Sequence, residues 1–294
     1  MVEQVTSEEL LVLGARAEGS MGRDNGVADL ELHLLLEAVV RAGGYDYRDF
    51  ATGTLKRRIS ERMRAEGVET ISGLQERVLH DPGAMRRFVF AMSQTPTTLF
   101  RDAAFWKAIR STVIPLLRTY SFIRLWFPAC STGEDVYSFA AVLEEAGLLD
   151  RSMIYATELS EEALAHAKSG RFDVTSGDDV AAEFIAGGAE TPLSHFAKVE
   201  LREIRFDERL KRNTIFAQHS LMSDGSLNEF HAILARGVLP QFNKALQYRV
   251  HNLFLQSLAR LGFLALGANE SLKQTPHERV FRRVGENAIY RRMR

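Results

Sequence analysis

The first third of the chain has the hydrophobic period of amphipathic helices. From residue 29 to about residue 94, apolar side chains recur three or four positions apart, with polar residues between them. Glycine and proline interruptions divide the stretch into predicted helices at about 29–42, 52–66, 71–80 and 82–93. Because runs of β-branched residues are missing from it, we predict a small all-helical domain over residues 29–95.

The segment before this domain has no such period. Residues 1–28 are polar and end in a stretch rich in Gly, Ser and Asn. A segment of this composition buries too little apolar surface to offset the entropy lost on ordering. We therefore predict a flexible N-terminal arm over residues 1–28.

From about residue 120, short apolar runs alternate with helical segments. The strand-like runs occupy 122–130, 153–159, 213–220, 230–237 and 262–268, and the helical segments occupy about 134–146, 160–170 and 240–261. Strands that alternate with helices are typical of a parallel sheet with covered faces. The sequence therefore predicts an α/β domain over residues 96–294.

Two segments of the predicted α/β domain break this alternation. Residues 173–212 are irregular and rich in glycine, which indicates a small subdomain inserted between the second and third strands. The last residues form two runs around Gly285-Glu286-Asn287, which predict an antiparallel hairpin. Two domains also agree with the length of 294 residues, at about 150 residues per domain.

Composition and charge exclude several classes of protein. The chain has 37 basic and 38 acidic residues, so it lacks the basic field of a typical nucleic-acid binder. Cys130 is the one cysteine and the histidines are scattered, so we predict neither a disulfide nor a metal site. We find neither an apolar run of about 18 residues nor a basic signal-peptide start, which predicts a cytoplasmic protein without membrane insertion.

A turn of small residues follows the first predicted strand, and an acid ends the second. The turn reads Ala129-Cys130-Ser131-Thr132-Gly133-Glu134, and the acid is Glu158. Ligands of open α/β sheets bind at this edge, where a helix N-terminus favours anionic or polar groups. The turn does not match the dinucleotide fingerprint. A ligand-binding turn and a tight structural turn with a solvent-facing glutamate both fit this pattern.

Several segments, in order, resemble one enzyme family. IRLWFPACSTGEDVYSFA, IYATELSEEALAHAKSGRF, TTLFRDAAFW, TLKRRISERM, FHAILARGVLPQFN and the final IYRRM are similar to segments of the CheR family of chemoreceptor glutamate methyltransferases. The resemblance covers about residues 45–294. It implies a Rossmann-like S-adenosylmethionine (SAM) dependent methyltransferase domain with an inserted β-subdomain, preceded by a helical domain. It also implies that SAM is the methyl donor and S-adenosylhomocysteine the product.

The resemblance assigns roles to individual residues. Glu134 corresponds to the acid that binds the methionine ammonium of SAM, and Glu158 to the acid that binds the ribose hydroxyls. Arg101 and Arg236 would orient the substrate carboxylate and are the implied catalytic residues. The implied cofactor-binding residues are Thr95, Thr97, Arg101, Ala129, Ser131, Gly133, Glu134, Glu158, Ser220, Leu221, Arg236 and Gly237.

The segment ARGVLPQF departs from the family pattern. Gly237 stands where the family has Asn, and Gln241 stands where it has Tyr beside the reacting carboxylate. Methyl transfer is a direct displacement that depends on alignment and desolvation, so these changes are compatible with activity. Two alternatives stay open: a degenerate relative that binds SAM or S-adenosylhomocysteine as a non-catalytic signalling adaptor, and a methyltransferase with another substrate. Restoring Asn at 237 and Tyr at 241 should rescue receptor methylation if the scaffold remains competent.

A basic cluster on the second helix is the candidate partner site. Its residues are Lys56, Arg57, Arg58 and Arg62. A solvated charged face explains the cluster as it stands, whereas the resemblance implies that it docks the acidic helical segment of a chemoreceptor. Aromatic residues are not interleaved with these bases, which disfavours nucleic acid as the partner. We expect a monomer.

Overall fold

The computed structural model describes residues 26–95, 97–174, 179–200, 202–227 and 229–294. Most of the predicted N-terminal arm lies outside these residues. The chain divides into two compact units. The first consists of the residues up to Arg48 together with Leu55–Phe88, and the second of Asp49–Thr54 together with Val89–Arg294.

The first unit is helical. Its helices are α1 (residues 26–43), α2 (Thr52–Glu66), α3 (Ile71–His80) and the start of α4 (Pro82–Ser93). Their apolar stripes meet in a core that includes Leu35, Val39, Ile59, Leu74 and Phe88. The four predicted helices are confirmed, and α1 also includes residues 26–28, which the sequence analysis assigned to the arm.

The second unit contains two sheets. Its strands are β1 (Ile123–Pro128), β2 (Ser152–Glu158), β3 (Arg171–Asp173), β4 (Ala197–Val199), β5 (Glu203–Phe206), β6 (Thr214–Gln218), β7 (Phe230–Ala235), β8 (Leu258–Leu266), β9 (Phe281–Arg283) and β10 (Ile289–Arg292). Its other helices are α5 (Ala103–Ala108), α6 (Ile114–Leu117), α7 (Glu134–Glu145), α8 (Glu161–Ser169), α9 (Val180–Ala186) and α10 (Lys244–Ser257).

The larger sheet has the order β6-β2-β1-β7-β8-β10-β9. The first five strands pair in parallel, and β10 pairs antiparallel with both β8 and β9. The smaller sheet, β3-β5-β4, is antiparallel and follows α8 in the chain. The predicted Rossmann-like fold, the closing hairpin and the small inserted sheet are therefore confirmed.

The long helix predicted over 240–261 is wrong at both ends. Residues Leu239–Gln241 form a separate short turn, and α10 begins only after Asn243, whose side chain accepts a hydrogen bond from the Leu246 amide. Leu258 already pairs with Phe230, so β8 begins earlier than the predicted strand. Pairing with β7 outweighs the local helical pattern at this point, as tertiary contacts commonly do.

The described residues contain neither a membrane-spanning helix nor a metal-binding cluster. None of their helices has the length and apolar character required to cross a membrane. Within the same residues, no group of three or more His, Cys, Asp or Glu side chains could hold a metal ion.

Candidate active site

The turn between β1 and α7 has an unusual backbone. Ala129 and Ser131 have φ values of 47° and 50°, and Gly133 has a φ of 98°. A Cβ atom at Gly133 would lie 2.9 Å from the Cβ atom of Ala167 on α8, which no ordinary contact permits. Glycine is therefore required at position 133, both for the left-handed conformation and for the close approach to α8, whereas Ala129 and Ser131 adopt this conformation although they carry a Cβ atom.

Glu158 joins this turn to the end of β2. Its carboxylate accepts hydrogen bonds from the backbone amides of Ser131 at 3.1 Å, Leu159 at 2.6 Å and Ser160 at 3.2 Å. The side chain is buried, and burial raises its pKa although these hydrogen bonds oppose the shift. The alternative of a solvent-facing glutamate is therefore wrong for Glu158.

Glu134 is the first residue of α7 and is partly buried. Its carboxylate oxygens accept hydrogen bonds from the Thr132 hydroxyl at 2.7 and 2.9 Å, and burial raises the pKa of its carboxyl group. It lines a cavity of about 670 Å³ together with Thr97 and Thr132. Residues of α8 and the small sheet, including His166 and Phe172, also line this cavity.

An arginine cluster lies beside the turn. Arg236, directly after β7, is buried, and its guanidinium carbon lies 4.1 Å from the centroid of the Phe105 ring. It donates to Asp135 Oδ1 at 2.9 Å and to the Arg101 carbonyl at 3.0 Å. Arg101 donates in return to Asp135 Oδ2 at 3.4 Å and to the Arg236 carbonyl at 3.2 Å. Asp135 therefore bridges the two arginines.

The structure brings most of the predicted cofactor residues together. A small second cavity, of about 20 Å³, is lined by Thr95, Thr97, Arg101, Ala129, Ser131 and Arg236, among others. Thr97 lines both cavities, and Glu134 lines the larger one. The hydroxyl oxygens of Thr97 and Ser131 are buried without a hydrogen-bond partner. Buried polar groups usually have a hydrogen-bond partner, and a ligand in these cavities could supply one to each hydroxyl.

Ser220 and Leu221 line neither of these cavities. They follow β6 at the same edge, where the His219 amide donates to the Glu158 carbonyl at 3.2 Å. The Ser220 hydroxyl caps a local turn by accepting from the amides of Met222 and Ser223. The structure places this pair next to Glu158 and leaves its predicted contact with the adenine ring a prediction.

The unusual segment after β7 forms its own network. Gly237 has a φ of 75°, and Glu270 accepts hydrogen bonds from the amides of Gly237 at 2.7 Å and Leu239 at 2.9 Å. The Gln241 amide donates to the Thr95 hydroxyl at 2.9 Å and to the Gly237 carbonyl at 3.0 Å. Gln241 thus ties the segment before α5 to the segment after β7.

Sequence reasoning missed two acids of this site, Asp135 and Glu270. Asp135 directly follows Glu134 in the first turn of α7, and its position beside the predicted cofactor-binding acid was an available signal. Glu270 follows β8 in an irregular segment, so its long-range bonds to the 237–239 turn leave no trace in local spacing.

The structure differs from the prediction at the basic cluster on α2. Arg58 is buried, because it shares the inward face of α2 with Leu55 and Ile59, so its exposed docking role is wrong. The other three cations lie in ion pairs: Lys56 with Asp29 at 2.6 Å, Arg57 with Glu61 at 3.0 Å and Arg62 with Glu66 at 3.1 Å.

These features first define a class of protein. Five parallel strands followed by an antiparallel hairpin, with a cavity and two carboxylates at the carboxyl edge of β1 and β2, define a Rossmann-like methyltransferase. A family model described as "CheR methyltransferase, SAM binding domain" matches residues 95–288, and one described as "CheR methyltransferase, all-alpha domain" matches residues 30–93. The chain belongs to the CheR methyltransferase family, which confirms the predicted family and its SAM cofactor.

Three curated relatives are similar to this chain over most of their length. "Putative methyltransferase Cher3" of Pseudomonas putida is 38% identical over 83% of this chain and 89% of that protein. Chemotaxis protein methyltransferase 1 of Pseudomonas aeruginosa is 28% identical over 80% of this chain and 87% of that protein. The chemotaxis protein methyltransferase of Listeria monocytogenes is 25% identical over 84% of this chain and 92% of that protein.

Proposed function

We propose that this chain transfers the methyl group of SAM to glutamate side-chain carboxylates of a chemoreceptor-like signalling protein. The family membership supports methyl transfer, and the relatives named as chemotaxis methyltransferases support the receptor substrate. The observation that carries the proposal is a pair of buried hydroxyls without hydrogen-bond partners, those of Thr97 and Ser131. Thr97 lines both the larger cavity, which Glu134 also lines, and the smaller cavity, which Ser131 and Arg101 also line.

The residues at the sheet edge fit SAM. The Glu134 carboxylate would pair with the ammonium of SAM, and Glu158 would receive the ribose hydroxyls. The hydroxyls of Thr97 and Ser131 would gain the partners that they lack in the protein alone. The remaining contacts would come from Thr95, Ala129, Gly133, Ser220, Leu221 and Gly237. When bound, SAM supplies an electrophilic methyl group.

The chemistry requires alignment more than proton transfer. A glutamate side chain is ionised at neutral pH, since its ordinary pKa is about 4.3, so a carboxylate oxygen can attack the methyl carbon without a base. Arg101 lines the small cavity and would hold that carboxylate in line with the methyl group. The protein walls exclude water, which would otherwise solvate the nucleophile.

Arg236 has a different role in this scheme from the one predicted. Its side chain is 3% exposed, stacked on Phe105 and bonded to Asp135. A guanidinium held in this way positions Asp135 and Arg101 and does not need to contact the substrate. We therefore assign Arg236 as a positioning residue and Arg101 as the catalytic residue. Lys56, Arg57 and Arg62 would exchange their present acidic partners for those of the receptor helix.

Two measurements test the proposal in sequence. Calorimetric titration with SAM and S-adenosylhomocysteine tests the cofactor site in the folded protein. Transfer of radiolabelled methyl to a purified receptor signalling domain, followed by alkaline release of methanol, then identifies a glutamyl ester. A receptor with its target glutamates changed to glutamine is the control. An alkali-stable product would show another acceptor group and overturn the glutamate assignment.

The non-catalytic adaptor is the second candidate, because Gly237 and Gln241 replace the family's Asn and Tyr. The Gln241 amide is engaged with Thr95 and Gly237, so the altered segment is an ordered part of the site. Binding of SAM without turnover on any receptor domain would favour the adaptor over the enzyme.

A further inference from the structure

The C-terminal hairpin of β9 and β10 is strongly basic. Residues 279–294 contain six arginines and one acid, Glu286. Where their guanidinium groups form hydrogen bonds, the acceptors are backbone carbonyls: Arg291 donates to Leu261 at 3.2 Å and Arg283 to Asn287 at 3.0 Å. Among the described residues, none of these six arginines forms an ion pair with an Asp or Glu side chain. The hairpin therefore carries positive charge that no aspartate or glutamate side chain compensates.

Two of these arginines face each other across the strands. Arg282 on β9 lies directly opposite Arg291 on β10, and Arg291 lies opposite Phe263 on β8. The Arg291 guanidinium carbon is 5.7 Å from the centroid of the Phe263 ring. Like charges directly opposite each other destabilise a sheet. A local rule that a sequence breaks is expected at a functional surface.

The pair borders a cavity of about 250 Å³. Leu116, Phe263, Val284 and Met293 contribute apolar surface, and Arg282, Arg283 and Arg291 contribute cationic groups. An apolar cavity with guanidinium groups on its border suits a ligand that combines a carboxylate with an apolar side chain. Guanidinium groups bind carboxylates through short, charge-assisted hydrogen bonds.

We propose that this hairpin cavity is a docking site for an acidic segment of a partner protein. A carboxylate of the segment lies between Arg282 and Arg291, where it relieves their mutual repulsion, and a neighbouring apolar side chain enters the cavity. Protein fits better than nucleic acid, because the one aromatic residue that lines the cavity, Phe263, is buried and offers no face for base stacking.

The surface is separate from the cofactor site and independent of the proposed methyl transfer. The residues assigned to SAM lie in the segments after β1, β2, β6 and β7 and before α5, whereas the cavity lies on the last strands of the sheet. Substitutions in the hairpin should therefore leave SAM binding unchanged, and SAM titration reports that each variant is folded.

Charged residues on an edge strand have a competing explanation. β9 is the outermost strand of the larger sheet, and arginines there could serve only to prevent edge-to-edge pairing of two molecules. That explanation predicts that neutral variants associate with themselves and show no change in their affinity for acidic peptides.

The test is the anisotropy of a fluorescein-labelled peptide rich in glutamate and leucine, titrated with the full chain at low and high salt. The double variant Arg282→Ser with Arg291→Ser should weaken binding by about tenfold or more, since it removes both charge-assisted hydrogen bonds to the carboxylate of the peptide. The matched control is Arg86→Ser with Arg249→Ser, which removes the same charge from two exposed positions.

Specific outcomes support or overturn the docking site. Weak binding of the glutamine analogue of the peptide, and loss of affinity at high salt, support it. Equal affinity of the hairpin variant and the control overturns it, as does self-association of the hairpin variant with unchanged peptide binding. Preferential binding of an RNA oligomer or of anionic vesicles, lost in the same variant, also overturns it and assigns the surface to that ligand.

Discussion

We expect the electrostatics of SAM binding to be concentrated in one residue, Glu134. Glu134→Gln keeps the shape and the Thr132 contact but removes the negative charge, so the dissociation constant of SAM should rise about tenfold, as expected when a charge-assisted hydrogen bond becomes neutral. Isothermal titration calorimetry measures this change. Glu161→Gln is the control, because Glu161 is also the first residue of a helix but is exposed and lies on neither cavity. If both substitutions weakened SAM binding equally, the effect of Glu134 would come from its charge at a helix N-terminus and not from a bond to SAM.

Gly237 shows how a departure from the family pattern is accommodated at one residue. Its φ of 75° is unfavourable for alanine, and a Cβ atom there would lie 3.1 Å from Thr95 Cγ2. Gly237→Ala should therefore lower the free energy of unfolding by about 1–2 kcal/mol. Urea denaturation followed by tryptophan fluorescence measures it, since Trp106 and Trp126 both lie in the second unit.

Two comparisons make the Gly237 prediction specific. Gly225→Ala is the control, because no atom lies within 4 Å of a Cβ atom placed there. Gly237→Asn should cost less than Gly237→Ala, since Asn enters the left-handed region more readily. The family's Asn and this chain's Gly are thus compatible with one backbone conformation. A neutral Gly237→Ala would show that the turn adopts another conformation in solution.

At the scale of elements, Asn243 decides where α10 begins. Its side chain accepts from the Leu246 amide at 2.9 Å and donates to Asp49 at 2.9 Å. Asn243→Ala should destabilise the second unit by about 1 kcal/mol, the usual effect of losing a helix cap. Asn243→Ser, which retains a capping oxygen, should lose less in the same urea titration. Equal losses would place the stabilisation in the bond to Asp49.

Helices and strands were predictable wherever the hydrophobic period and the residues that interrupt it agreed with the tertiary structure. The helices α2 and α3 end at the predicted residues because Gly67 and Asp81 interrupt the period there, and α4 begins at Pro82 as predicted. The segment 240–261 failed because Asn243 and the pairing of Leu258 with Phe230 are decided by partners distant in the chain. The helix α9 was missed because it lies inside a glycine-rich segment whose composition favours irregular structure.

The residues of the candidate site show the same difference between local motifs and long-range contacts. The Gly133 turn, Glu134 and Glu158 lie in short motifs, so spacing and family resemblance located them. Glu270 contacts residues about thirty positions away, and Arg236 stacks on Phe105, more than a hundred positions away. Only the folded chain shows such contacts, and the contact with Phe105 is the basis of the positioning role that we propose for Arg236.

The stability of the whole molecule depends on pH through buried groups whose contributions oppose each other. Burial raises the pKa of Glu134, Glu158 and Glu270. Between the raised pKa and the ordinary glutamate value, the folded chain therefore binds more protons than the unfolded chain. The contribution of these groups to stability increases as the pH decreases through this interval. His251 acts in the other direction. Burial beside His277 lowers its pKa to about 4, so the unfolded chain binds a proton more readily between its ordinary pKa of 6.5 and this value.

His251 should therefore make the second unit sensitive to mild acid. As the pH decreases from above 6.5 towards 4, the neutral buried imidazole favours unfolding, and His251→Gln should reduce this loss of stability relative to the unsubstituted chain. Urea midpoints from tryptophan fluorescence at several pH values in this interval measure the difference. His195→Gln, at an exposed histidine of the same unit, is the control for the exchange of an imidazole for an amide. A parallel shift of the His251→Gln profile at all pH values would instead mean that His251 contributes packing alone, because a titrating group must change the slope of stability against pH.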